Sequence, residues 1–147
     1  MKIPTIILEA SDGNSYKISD FTQTEKILLY FYPKDNTPGC TKQAVGFTEL
    51  QEKFLEKNIR VIGVSPDSIT SHKNFIEKQD LKILLLSDTE KELATAFSAY
   101  GEKKNYGKTY IGIIRSTFLI DTKTQEILES WRNVKATGHA ERILKLV

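Results

Sequence analysis

The stretch Ile27-Leu28-Leu29-Tyr30-Phe31-Tyr32-Pro33-Lys34-Asp35-Asn36-Thr37-Pro38-Gly39-Cys40 decides how this chain is built. Its first part, Ile27–Tyr32, is uncharged, with β-branched and aromatic content that favours strand, so residues 26–32, Lys26 at the head, read as a buried central strand. The eight residues that follow hold two prolines and a glycine, which makes a stiff turn. Beyond the turn Ala44, Phe47, Leu50, Phe54 and Leu55 recur at helical spacing, so a helix runs from Cys40 to about Lys57. The turn ends on the only cysteine of the protein. In the first turn of a helix that sulfur meets the positive end of the macrodipole and unpaired backbone N–H groups, and both stabilise a thiolate.

On either side the chain keeps alternating. Residues 3–9 and 15–19 read as two short strands joined at Asp12-Gly13-Asn14. Arg60–Ser65 is the next strand, and Ser68 is an N-cap for a helix to about Gln79. Lys82–Leu86 is another strand. Ser87-Asp88-Thr89-Glu90 has the capping-box spacing, which predicts a helix from there to about Tyr100. Residues 101–114, with three glycines and three lysines, read as a loop that enters a strand late. Thr117–Ile120 and Gln125–Trp131 form a strand pair about a turn at Asp121–Thr124, and Gly138–Val147 closes as a helix. The sum is an α/β three-layer pattern over a single domain, 1–147. The cysteine falls at the carboxyl end of a central strand, where open α/β sheets build their sites.

Composition removes other classes. With 21 basic and 19 acidic residues the net charge is +2, which favours neither nucleic acid nor membrane partners. One cysteine excludes an internal disulfide, and two distant histidines give no zinc pattern, so no metal or cofactor is expected. Met1–Glu9 carries too short an apolar run for a signal peptide, and no stretch reaches the ~20 apolar residues of a membrane helix. A cytoplasmic protein is expected.

The spacing Pro33-x-x-x-Thr37-x-x-Cys40 resembles the active-site motif of the peroxiredoxins, thiol enzymes that reduce hydroperoxides. Thr37-Pro38-Gly39-Cys40-Thr41 resembles their Q-type branch, the bacterioferritin comigratory proteins. Gly107-Lys108-Thr109-Tyr110-x-Gly112-Ile113-x-Arg115-x-x-Phe118-Leu119-Ile120-Asp121 is similar to the same branch, and the likeness runs nearly end to end. The resemblance implies a thioredoxin-like fold with an N-terminal β-hairpin extension. It also implies reduction of hydrogen peroxide and organic hydroperoxides through a sulfenic acid, and a monomer or weak dimer.

Peroxide reduction needs an ionised sulfur, donors that hold the peroxide, and stabilisation of the leaving oxygen. Cys40 supplies the sulfur. Thr37 can point its hydroxyl at the sulfur or the peroxide, and the N–H groups of Gly39 and Cys40 are donors. Pro33 and Pro38 shield the sulfur and stiffen the loop, so Pro33 and Gly39 are taken as substrate-binding. Arg115 heads a buried strand, an expensive place for a guanidinium unless it meets an anion. By resemblance it is the family's active-site arginine; the residues alone do not pair it with Cys40. Gln43, one turn after Cys40, is a candidate for steadying the helix start.

Many Q-type members carry a resolving cysteine five residues after the first, where this chain has Val45; Ala94 marks an alternative position and is no thiol either. The sulfenic acid is therefore expected to be resolved by an external thiol: thioredoxin, glutaredoxin or glutathione. Against this stand two other classes, a disulfide reductase, which would need a cysteine at Gln43, and a non-catalytic thioredoxin-fold binding protein. Out of context a lone cysteine is usually a small buried hydrophobe. His72 and His139 read as solvated helix residues, and Trp131 and the tyrosines as packing. Gly101–Thr109 imitates a phosphate-binding loop, but five residues separate its glycines instead of four, and it does not open a helix.

Overall fold

A computed structural model describes residues 3–105 and 107–147. Its strands are β1 (Leu8–Ala10), β2 (Ser15–Tyr16), β3 (Lys26–Phe31), β4 (Ile59–Ser65), β5 (Leu84–Ser87), β6 (Tyr100–Asn105), β7 (Lys108–Ile113), β8 (Ser116–Asp121) and β9 (Ile127–Trp131). The helices are α1 (Pro38–Glu56), α2 (Ile69–Gln79), α3 (Glu92–Ala96) and α4 (His139–Leu146). Seven strands form one sheet in the order β2-β1-β5-β4-β3-β8-β9, and among the described residues β6 and β7 form a separate two-stranded sheet. Among the described residues no helix is long and apolar enough to cross a membrane.

The period of two along the strands sorts side chains into two cores. Leu28 and Tyr30 of β3, with Tyr32 just beyond it, face Cys40, Ala44, Phe47 and Phe54 of α1, with Phe75 of α2 and Ile143 of α4. Ile27, Leu29 and Phe31 point the other way, into a cluster with Phe97, Phe118 and the N-terminal residues Leu8, Ile18 and Phe21. β4 and β8 alternate in step: Val61 and Leu119 go with the first cluster, Ile62, Val64, Phe118 and Ile120 with the second. Gly63 is the exception that packing demands. A Cβ there would lie 2.8 Å from Leu85 and 2.9 Å from the Tyr30 ring and hydroxyl.

Several boundaries differ from the sequence reading. Of residues 3–9 only the end is strand, because β1 meets β5 through Glu9 and Ala10 alone, and Ile7 is largely exposed. Residues 15–19 break after Tyr16 into a 3₁₀ turn, Ile18–Asp20, where the Asp20 carboxylate accepts the Lys17 N–H at 2.9 Å. The capping box at Ser87 does not form. Ser87 is the last residue of β5 and its hydroxyl is given to the Asp67 carbonyl. The buried Asp88 carboxylate caps instead, accepting from Leu93 N–H at 3.2 Å and Ala94 N–H at 2.9 Å, and α3 is only five residues long. Residues 101–114 are not a loop but most of the β6–β7 hairpin, turned at Gly107 with φ +76°. Its solvated strands carry charges that mask the alternation; Lys103, for one, lies over the Tyr110 ring. The segment that imitates a phosphate loop therefore opens a strand.

Candidate active site

Register places the site. β3 runs parallel to β4 and antiparallel to β8, with Phe31 opposite Ser116. The next residues outward are Tyr32, which leads into the proline-rich turn, and Arg115. Val134 N–H donates to the Arg115 carbonyl at 2.9 Å, which pins that backbone. Asn36 takes the left-handed conformation, φ +60°, a state asparagine tolerates better than most residues. Thr37 is then the N-cap of α1, Pro38 the first helical residue, and Cys40 lies in the first turn.

Arg115 and Cys40 are brought together. Arg115 Nη2 donates to Cys40 Sγ at 3.3 Å, and Nη1 donates to Gln43 Oε1 at 2.5 Å. The fork thus grips a sulfur and an amide one helical turn apart. Gln43 is buried and, among the described residues, its Nε2 has no hydrogen-bond partner. Gly39 leaves room for the guanidinium, since a Cβ there would lie 3.4 Å from Nη2. The first backbone bond into α1 is Thr41 N–H to Thr37 O, and Thr37 gives no side-chain cap. The N–H groups of Gly39 and Cys40 thus lack intrahelical acceptors. Cys40 itself is only 1% exposed.

Thr37 departs from the sequence reading. Its hydroxyl does not donate to the sulfur; it donates to the Lys34 carbonyl at 2.8 Å, leaving lone pairs free to accept. Pro33 is half-buried beside the loop, whereas Pro38 is exposed and shields nothing.

Both histidines contradict the expectation of solvated positions. His139 is 2% exposed, meets Thr117 Oγ1 at 2.7 Å and stands edge-on to Phe47. Burial, helped by the cations Arg142 and Arg115, lowers its pKa from 6.5 to about 4. The unfolded chain binds this proton below pH 6.5 and the folded chain does not until about pH 4. The resulting stability is complete above 6.5 and is lost as pH falls towards 4. His139→Gln is expected to remove about 1–2 kcal/mol of the stability difference between pH 7 and pH 5, read from urea midpoints. Equal pH slopes in parent and variant would refute it.

His72 is fully buried, with Nδ1 at 2.7 Å from Asp35 Oδ2 and Nε2 at 2.8 Å from the Leu86 carbonyl. Asp35, inside the proline-rich turn, is buried as well. Its Oδ1 accepts from Tyr32 Oη at 2.6 Å and its Oδ2 from Ser71 Oγ at 2.8 Å. Burial, with Tyr30 and Asp35 nearby, pushes the Tyr32 phenol well above its ordinary pKa, so it remains a donor. Asp67 adds a second acid, its ligand atom within 4.8 Å of this pair. These ligand atoms already have hydrogen-bond partners: Asp67 Oδ2 accepts from Asp35 N–H and Ser65 Oγ. The sequence reading missed this cluster. The spacing of Asp35, Asp67 and His72 along the chain gives no sign that they meet.

Residues 1–127 match the AhpC/TSA family. The peroxiredoxin Bcp of Bacillus subtilis is 47% identical over 144 residues, covering 98% of this chain and 90% of its own. The chain is a peroxiredoxin. A Xanthomonas campestris bacterioferritin comigratory protein, studied for alkyl peroxide reduction, superimposes with TM-score 0.90 at 37% identity, over 99% of this peroxiredoxin and 94% of its own chain. Peroxidoxin BcpB of Mycobacterium tuberculosis gives 0.84 at 28% identity, over 99% and 92%. These relatives place the peroxiredoxin in the Q-type branch, with a thioredoxin-like fold, and make it a thiol peroxidase.

Proposed function

We propose that the chain, as one domain, reduces hydrogen peroxide and organic hydroperoxides with Cys40 as the peroxidatic thiolate. The contact between Arg115 Nη2 and Cys40 Sγ carries this reading, because it sets a fixed cation and N–H donor on the nucleophile. The sulfur attacks the hydroxyl oxygen of ROOH in line with the O–O bond. An S–O bond forms, the O–O bond breaks, and sulfur gives up two electrons to the peroxide. The leaving RO⁻ takes a proton to become alcohol, or water when R is hydrogen. Arg115 and the N–H groups of Gly39 and Cys40 hold the developing negative charge. Thr37, its proton committed to Lys34, accepts from the O–H of the hydroperoxide. Pro33 and Gly39 shape the approach.

With one cysteine in the protein, resolution falls to an external thiol. That thiol attacks the sulfenic sulfur, releasing water and leaving a mixed disulfide, and a second thiol frees Cys40. Thioredoxin, glutaredoxin and glutathione are the candidate reductants, and an unpaired thiol suits a reducing compartment such as the cytoplasm. We place the enzyme there as a monomer or weak dimer.

Equimolar peroxide without reductant is expected to leave a monomer that has gained one oxygen and is trapped by a dimedone-type reagent. Excess peroxide is expected to add a second and a third, giving sulfinic and sulfonic acids. A protein whose intact mass shows none of these after peroxide treatment would overturn the mechanism.

A further inference from the structure

The loop from Pro33 to Cys40 is fastened at two places, and the known chemistry uses only one of them. At Cys40 it is held by Arg115. At Asp35 it is held by the backbone N–H on Asp67 Oδ2, at 2.8 Å, and by a carboxylate that gathers Tyr32, Ser71 and His72 from two further segments. Leu86 O can only accept, so His72 Nε2 bears a proton, and the Nδ1 contact with Asp35 needs a proton of its own. Tyr32, Ser71 and His72 converging on one buried acid make a strong local fastening.

Resting on the proposed resolution by an external thiol, a further requirement follows. Cys40 is 1% exposed, so a thiol cannot align behind its sulfur while the loop stays seated. We propose that Asp35 and His72 are positioning residues that latch the loop in its peroxide-reactive form, and that their release sets how readily the sulfur becomes accessible to a thiol. The latch acts through the five residues to Cys40 and touches neither sulfur nor peroxide.

The test is alkylation of reduced Cys40 by a maleimide carrying a polyethylene glycol chain, beside the rates of sulfenic acid formation and of its reaction with an added thiol. Asp35→Asn and His72→Gln are expected to raise alkylation and thiol resolution roughly tenfold while slowing the peroxide step by a similar factor. Ser71→Ala, which removes one donor to the acid, is expected to shift the same rates a few-fold even if the stronger variants fail to fold, and Ser71→Thr to restore them. Ile120→Val, on the opposite face of the sheet, lowers stability without touching the loop and is expected to leave alkylation at the parent rate. Unchanged alkylation in the folded latch variants, or an equal rise in Ile120→Val, would overturn the proposal. Alkylation needs no peroxide, so failure of the peroxidase reading would be seen separately, as undiminished peroxide consumption by a Cys40→Ser variant.

Discussion

Cys40→Ser is expected to abolish hydroperoxide consumption while the protein stays folded. The side chain sits in the first turn of α1, against the Arg115 guanidinium. Serine is nearly isosteric there, and its oxygen can accept the same N–H. What it lacks is an ionised form: an alcohol with no base beside it is a poor nucleophile near neutral pH. The loss should reach the background rate, at least about three orders of magnitude, as when an enzyme loses its nucleophile. Peroxide consumption with a dithiol reductant measures the rate, and a melting curve within about 5 °C of the parent establishes the fold. Turnover at the parent rate would remove Cys40 from the mechanism.

Arg115→Ala carries the second large effect, and it acts on two quantities at once. Sulfenic acid formation should slow by roughly 10²–10³-fold, the scale seen when a charge-stabilising donor is removed from a reacting oxygen. Stability should also fall by about 1–3 kcal/mol, because Gln43 Oε1, buried beside an amide nitrogen that has no partner among the described residues, would lose its donor. Arg115→Lys separates the two roles. Its single ammonium keeps the charge and cannot reach both acceptors as a fork does, so its rate should fall between the others. Stopped-flow trapping of the sulfenic acid with excess peroxide gives the rate constant. A rate in Arg115→Ala equal to the parent's would argue that the guanidinium serves packing alone.

What the sequence disclosed follows the range of the forces involved. The strand before Pro33, the helix after Pro38 and the seat of Cys40 in its first turn depend on nearest neighbours and were legible. Arg115 was legible as a cation at the head of a buried strand. Its pairing with Cys40 came from the family likeness, since the contact spans 75 residues of chain. Gln43 could be seen only as a neighbour on the helix, because its role depends on the arginine that reaches across. Asp35 and His72 were hidden for the same reason: His72 looks like a surface helix residue until Asp35 is known to turn inward. The β6–β7 hairpin was missed because solvated strands owe their place to pairing with each other and not to a buried face. Ser87 failed as a cap because a sheet position claimed it first.

The antiparallel pairing of β3 with β8 has a consequence for synthesis of the chain. Phe31 and Ser116 must meet before Arg115 can stand beside Cys40. During translation, at about 5–20 residues per second, the arginine is made roughly 4–15 s after the cysteine. Through that interval the nascent chain already carries its sulfur but has no cation to direct it. On the proposed mechanism, a ribosome stalled before β8 would therefore hold Cys40 with only the start of α1 beside it, short of the arginine's share of its peroxide reactivity.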